Sequence, residues 1–524
     1  MSDDRTFAAA APSGGGAHAD EKSAHLRSAA VTGLRWSLPA RLGTEVLTLA
    51  SMVVLARLIA PAEFGHYAVA LVVGEIAMVV PGEGVGSALV QRQTLERVHL
   101  QAGMVLALVA GAVLAAIMLA LAALVVVPIF GESTAELVRL STPSCLIAAA
   151  SAVPTAVLRR RLAFRRLSVM DIVSTGTRAV ASVGLALAGL GAESLVLGGM
   201  LSGIAAAAIA WTGAWPPPPR LHLCAAREVL DYGLPAALAS ISWVGFRNCD
   251  YAIVGARLGA AQTGFYFRAY SLAVEYQKKI SIVMSQIGFP VLARAQGTAD
   301  GAVLRHQMVR LLTTLLFPLL TLLAVLAPVA VPLVFGADWK QAVVPTQILA
   351  LGGASTLVID TAGVALMAAG RARALLAYGW GHFTTYAAAV FVAAPHGLAA
   401  VAVGASIVHT AFLYIAYALV LRGTGRSALA CLWDDVAPAT VSCAALAAAA
   451  APVGIVLSHT GVAGVLQASA VAAVGTGAYL LALRLVFPSC WRDMWAVARR
   501  VVPARPAGLR AARRGVPAGA ASRP

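Results

Sequence analysis

The chain has 524 residues, 60% of them hydrophobic and only 12% charged, with a mean hydropathy of +0.82. Those values exclude an ordinary soluble domain. They describe a chain in which stretches of about 20 apolar residues, each long enough to cross a bilayer core of about 30 Å as a helix, follow one another almost end to end. The formal net charge of +16 is dispersed among the connections, where it faces anionic lipid, and calls for no nucleic acid.

Residues 1–32 carry acids, Gly and Ser but no apolar core with a cleavage site, so they predict a disordered cytoplasmic tail, not a signal peptide. Cutting the remainder at charged, Gly and Pro clusters predicts about 14 transmembrane helices. They begin near Leu34, Gly65, Gln101, Leu137, Ser168, Glu193, Leu230, Gly264, Gln307, Val343, Ala374, Leu398, Asp434 and Val462. Basic residues are retained in the cytoplasm, and one set of connections holds most of the 39 Lys and Arg, including the run from Arg159 to Arg166. The other set holds only Arg57, Arg139, Arg257, Arg268 and Lys340. An even helix count with both termini in the cytoplasm follows.

Internal echoes order these helices. Ala56-Arg57-Leu58 followed by Gly65-His66-Tyr67 returns as Ala256-Arg257-Leu258 followed by Gly264-Phe265-Tyr266, and VPIFG ending at Gly131 returns as VPLVFG ending at Gly336. Both pairs share spacing and side, so the repeat unit is six helices and the two copies run parallel, as in alternating-access transporters. The predicted organisation is an N-lobe at 33–214 (helices 1 to 6), a Pro-rich cytoplasmic linker at 215–229, a C-lobe at 230–422 (helices 7 to 12), helices 13 and 14 at 423–488, and a basic cytoplasmic tail at 489–524. Pro216 to Pro219 read as a stiff strap between the lobes.

Charged residues within apolar spans are expensive and normally face protein or a wet cavity. Arg178 falls midway along helix 5, and Lys278 and Lys279 fall in the middle of helix 8. Two adjacent ammonium groups point about 100° apart on a helix, so a wet cavity explains them best. Arg41 and Arg247 also lie in spans. Among the acids, Glu45 pairs by spacing with Arg41, Asp250 with Arg247 and Glu275 with Lys279, each on one helix face. Glu75 has no partner in its own helix, which makes it the first candidate for ion coupling, with Asp360 second and Glu45 and Asp250 after them. Trp243, Tyr251, Tyr266, Tyr270 and Tyr276 cluster on helices 7 and 8, where packing is the simpler reading and sugar stacking the sharper one.

Catalytic and metal signals are weak: the ten His are scattered, the six Cys form no CxxC pair, and GEGVG at Gly82 to Gly86 lacks the Lys and the preceding strand of a phosphate loop. No Walker motif, cofactor site or metal site is read, so an ion gradient, the membrane potential or the downhill fate of the product must supply the energy.

Several stretches together resemble the polysaccharide-transport (Wzx-like) branch of the multidrug/oligosaccharidyl-lipid/polysaccharide (MOP) flippase superfamily. They are LARLIAPAEFGHYAVAL, GVGSALVQR at Gly84 to Arg92, VLRRRLAFRRL at Val157 to Leu167, NCDYAIVGARLG at Asn248 to Gly259, GFYFRAY at Gly264 to Tyr270, FPVLARAQ at Phe289 to Gln296 and PLVFGADWKQAVVPTQILAL at Pro332 to Leu351. The resemblance spans roughly Gly33 to Arg422. It implies an all-α integral membrane protein with two six-helix lobes around a central cavity, exporting a polyprenyl-pyrophosphate-linked glycan across the inner membrane for cell-surface polysaccharide synthesis. Polymerases or glycosyltransferases would be its partners. Lys278, Lys279, Arg178, Arg41 and Arg247 would then bind the anionic head. Two alternatives remain: an ion-coupled drug or metabolite exporter of the same superfamily, and an integral-membrane glycosyltransferase or polymerase. The short outward connections and their few acids argue against the latter.

Overall fold

A computed structural model describes residues 43–215, 218–275, 299–368, 371–422, 424–460 and 462–501, and among these there is no strand. That is what an apolar chain dictates: lipid offers no hydrogen-bond partners, so each backbone N–H and C=O must be satisfied within its own helix. Among the described residues, nine helices are long and apolar enough to cross a membrane by length and composition. The expected helix starts at Glu193, Val343 and Leu398 coincide with first helical residues, and the start expected at Ser168 falls at Phe164.

The described residues cluster into two compact units. The first comprises those of Met1–Tyr276, Ala327–Gly352 and Leu376–Thr410. It opens with α1 (43–58), α2 (Pro61–Val79), a π-helical turn at Val80–Gly86, α3 (Ser87–Gln91) and α4 (Arg97–Leu121). After a second π turn come α5 (Val127–Phe130), α6 (Glu132–Ser141), α7 (Pro143–Arg160), α8 (Phe164–Leu187) and α9 (Glu193–Gly213). Next are α10 (Leu223–Leu258) and α11 (Ala260–Tyr270). α10 has 36 residues and starts well before the expected Leu230, more than the roughly 20 that a bilayer needs.

Packing in this unit relies on small residues, as it must where lipid removes the hydrophobic drive between helices. Val85, Ala88 and Leu89 meet Met104 and Ala107 of α4 and Ala149, Ala152, Val153 and Ala156 of α7. The outside is apolar: Leu124 and Val180 are 76% and 75% exposed, a pattern that suits lipid as the solvent.

Turns that alternate along the chain gather at one end of this unit. The Ala192 amide donates to Glu63 Oε2 (3.1 Å). Trp339 Nε1–H donates to the Ala56 carbonyl (2.8 Å), and the Arg257 guanidinium lies 3.9 Å from the centre of the Phe391 ring. The two VPxxFG-type echoes share a backbone shape: Gly131 and Gly336 have φ of +86° and +111° with ψ near 170°, a region open essentially only to glycine. Each lets a helix stop and the next begin without a gap.

The second unit holds the described residues of Gln277–Leu326, Gly353–Leu375 and Ala411–Pro524. Together the two units share α12 (Ala299–Phe335), α13 (Val343–Ala368), α14 (Ala372–Ala393) and α15 (Leu398–Val420) as chain segments, and α16 (Ala428–Ser458), α17 (Gly464–Val486) and α18 (Pro488–Val501) belong to the second. The basic C-terminal segment therefore begins as a helix. Asp435 of α16 is 1% exposed and is fully engaged: Arg305 Nη1 lies 3.1 Å from Oδ2, Tyr417 donates to the same oxygen at 2.6 Å, and His306 contacts Oδ1. A buried carboxylate needs such partners. Cys145, Cys431, Cys443 and Cys490 are buried, Cys249 is half-buried, and Cys224 alone is exposed.

Candidate functional site

Beyond Pro235, the middle of α10 carries Arg247, Asn248 and Asp250 in close succession, so that they fan over about half the helix circumference. Asp250 is 0% exposed. Its Oδ2 accepts from Tyr386 (2.9 Å) and Tyr266 (3.2 Å), and its Oδ1 accepts from the Tyr251 amide (3.0 Å). Around Tyr386 stand two imidazoles, with the His409 ring 5.1 Å from Tyr386 and 5.3 Å from His382. Tyr386, His382 and His409 were invisible in the sequence as part of this surround, because they come from two further helices, α14 and α15, and share no spacing motif with Asp250.

Glu75 of α2, which lacks a partner in its own helix, finds one on another. Asn248 Nδ2 donates to Glu75 Oε2 (2.9 Å) and to the Val244 carbonyl (3.0 Å). Asn248 is 5% exposed, so a sheltered amide ties the half-buried carboxylate to α10. Arg247 is half-buried and its Nε has no hydrogen bond among the described residues. Thus Glu75, Arg247 and Asp250 gather around one stretch of α10. Arg178 is on α8, exposed, beside Gly199 of α9. Glu45 is half-buried on α1; Asp360 is half-buried on α13, in the second unit. Lys278, Lys279 and Arg41 lie outside the described residues, as does Tyr276.

Of the aromatic cluster, Tyr251, Tyr266 and Tyr270 are packing. Tyr251, Tyr266 and Tyr270 are 1%, 0% and 5% exposed, and Tyr251 meets Tyr266, Phe267 and Tyr270 edge to face at 5.3–6.1 Å, the arrangement that ring quadrupoles favour.

Arg268 corrects an expectation. Counted by sequence among the outward connections, it is instead 5% exposed within α11, its guanidinium 3.8 Å from the centre of the Phe64 ring. Trp339, 1% exposed, stacks edge-on to Phe64 and Phe265 at 5.4 and 6.0 Å. A cation sheltered by aromatic faces is tolerated where apolar walls alone would reject it.

The repeated turns interlock. A Cβ built on Gly65 would overlap the Ala260 carbonyl oxygen, and one on Gly264 would overlap the Pro61 carbonyl oxygen. Gly65 corresponds to Gly264 in the repeat and Pro61 to Ala260, so the contact is reciprocal, as across a two-fold axis.

At the opposite end, the first turns of α10 meet the start of α4. Glu228 Oε2 accepts from His99 Nε2 (3.1 Å) and from Arg92 Nη2. These two hydrogen bonds, His99 first and Arg92 second, hold the Glu228 carboxyl below the usual carboxylate range. His222 Nε2 bonds to Gln101 Oε1 close by (3.1 Å). No cluster of three or more metal-ligating side chains occurs among the described residues.

Residues 54–344, more than half the chain, match the family described as polysaccharide biosynthesis protein. Similar curated proteins include the lipopolysaccharide biosynthesis protein WzxC of Escherichia coli (strain K12), 26% identical over 367 residues that cover 69% of this chain and 74% of WzxC. The succinoglycan biosynthesis transport protein ExoT of Rhizobium meliloti (strain 1021) is 28% identical over 335 residues, 60% of this chain and 64% of ExoT. Among solved structures, lipid II flippase MurJ in an inward closed conformation superposes with a TM-score of 0.70 at 13% identity, over 87% of this chain and 99% of MurJ. An inward-facing multidrug resistance MATE family transporter of the MOP superfamily gives 0.59 at 14% identity, over 72% and 93%. The likeness to the solved structures shows an all-α, multi-pass membrane fold. The chain belongs to the polysaccharide biosynthesis protein family.

Proposed function

We propose that the protein flips a lipid-linked oligosaccharide across the inner membrane for cell-surface polysaccharide synthesis, by alternating access between two six-helix lobes at 33–214 and 230–422, with helices 13 and 14 at 423–488 outside the doubled core. The observation that carries this reading is the reciprocal interlock of Gly65 with Ala260 and of Gly264 with Pro61. Two copies of one turn, one from each half of the repeat, close the same end against each other by backbone contact. Such a seal opens when the halves rock apart.

With both termini in the cytoplasm, the interlocked turns face outward and the Arg92–Glu228 end faces inward. Lys278, Lys279, Arg178, Arg41 and Arg247 supply charge-assisted contacts to an anionic head. Ion coupling falls to Glu75 and Asp250 before Asp360 and Glu45, since Glu75 accepts from Asn248 of α10 and Asp250 of the same helix accepts from Tyr266 and Tyr386, so a change in either charge state alters a contact made by that helix. The protein moves its cargo without altering it, and glycosyltransferases and polymerases act before and after it.

The test is deletion of the gene followed by analysis of lipid-linked glycans on each face of the inner membrane. Accumulation on the cytoplasmic face supports the reading. An unchanged distribution, or accumulation on the outer face, refutes it.

A further inference from the structure

We propose that Arg92 and His99 form an anion-capture site at the cytoplasmic end, that Glu228 fills it as an internal stand-in for a phosphate oxygen, and that a pyrophosphate head enters by displacing that carboxylate. The identity of the ligand rests on the flippase reading; the site itself rests on geometry.

The donors are built and the acceptor is loose. Arg160 donates to the carbonyls of Leu89 and Val90 (3.2 Å each), Arg92 and Gln93 (2.8 Å), so one guanidinium fastens the whole connection that carries Arg92. Arg92 Nε–H donates to the Thr94 carbonyl (3.0 Å), which orients its guanidinium and leaves Nη2 for Glu228. His99 is fixed in tautomer as well as in place. The Glu96 amide donates to His99 Nδ1 (3.1 Å) as half of a capping box. In the neutral ring that puts the proton on Nε2, which points at Glu228 Oε2. Two oriented donors therefore converge on one oxygen.

Exposure divides the partners in the same way. The side chains of Arg92 and His99 are 25% and 6% exposed, whereas that of Glu228 is 48% exposed. The acceptor is the member that solvent reaches and that moves away at least cost. A phosphate brings more charge and more acceptor oxygens than a carboxylate, and guanidinium geometry suits it.

Displacement has a mechanical consequence. Glu228 lies N-terminal to Pro235, which interrupts the hydrogen-bond ladder of α10. The turns before Pro235 can swing away from α4 while the turns bearing Arg247, Asn248 and Asp250 stay packed. Anion capture and release of the cytoplasmic latch are then linked, and each favours the other.

A phosphorylated prenyl head and an ordinary anionic phospholipid share this chemistry, so the test separates them. Full-length protein in phosphatidylcholine nanodiscs is titrated calorimetrically with farnesyl pyrophosphate, and again in discs containing phosphatidylglycerol. Glu228→Gln is expected to tighten farnesyl pyrophosphate binding severalfold, because the internal competitor loses its charge. Arg92→Gln is expected to weaken it about tenfold, the loss of one charge-assisted contact. Phosphatidylglycerol should leave both values within twofold. Unchanged or weaker binding in Glu228→Gln overturns the proposal even if Arg92→Gln fails to fold, and strong competition by phosphatidylglycerol overturns the pyrophosphate assignment. If Glu228→Gln tightens binding but gene deletion leaves the distribution of lipid-linked glycans unchanged, the capture site stands and the flippase reading falls.

Discussion

Gly65 and Ala260 meet with no space for a side chain between them, because a Cβ on Gly65 would occupy the position of the Ala260 carbonyl oxygen. Gly65→Ala and Gly264→Ala should each destabilise the outward-closed state by about 1–3 kcal/mol, the usual cost of overpacking. Both should raise the labelling rate of a cysteine placed at Gln262, beside the seam. The two contacts belong to one interface, so the double variant should lose less than the sum of the singles. Strict additivity in thermal unfolding would contradict the reciprocal interlock.

Asp250 and Glu75 divide the ion-coupling proposal into separable tests. Asp250→Asn should leave the protein in the membrane, since Tyr266 and Tyr386 can still donate to the amide oxygen, while glycan export loses its sensitivity to an uncoupler. Glu75→Gln should lower export at least tenfold with protein levels unchanged. If both variants export at wild-type rate and stay uncoupler-sensitive, neither acid couples.

The Lys278 and Lys279 pair carries the cargo charge in this scheme. Replacing both with Gln retains length and polarity, so the double variant should reach the membrane and fail to restore export in a deletion strain, whereas Arg replacements retain part of the activity. Loss of the protein itself would point to a structural role in pairing buried acids.

Asp435 makes a different kind of prediction. Its carboxylate is sheltered among Arg305, His306 and Tyr417, so Asp435→Ala leaves the Arg305 charge buried and unpaired, at a cost of about 3–5 kcal/mol. Folded protein in the membrane should fall sharply, and any that survives should export normally.

Acid should undo the Arg92–His99–Glu228 contact in a defined direction. Because the folded-state pKa of Glu228 is depressed, its contribution is present above the unfolded value of about 4.3 and disappears as pH falls through the lower folded one. The stability difference between wild type and Glu228→Gln should therefore be present at neutral pH and vanish once pH has fallen below the ordinary carboxylate range. A difference that persists undiminished well below the ordinary carboxylate range would show that Glu228 is not ionised in this contact.

What the sequence disclosed followed from local rules. Apolar run length gave the helices, and the glycines of the VPxxFG-type turns marked the repeat because no other residue fits their backbone. Glu75 stood out for having no neighbour on its own helix. That its partner is Asn248 was hidden, because the pairing joins helices far apart in the chain. Arg268 was misplaced for a related reason: a charge close after a turn reads as solvent-facing, and only the converging Phe64, Phe335 and Trp339 rings explain how it is buried. His382 and His409 were passed over as scattered, since spacing along the chain says nothing about two helices that pack side by side.

The single exposed thiol, Cys224, sits one helical turn before Glu228, on the same face of α10. A maleimide dye added to the native protein will therefore react there first, ahead of the sheltered thiols, and report from beside the latch without any engineered cysteine. Its emission, followed in time after mixing with farnesyl pyrophosphate, converts a static contact between three side chains into an opening rate that can be set beside the rate of glycan export.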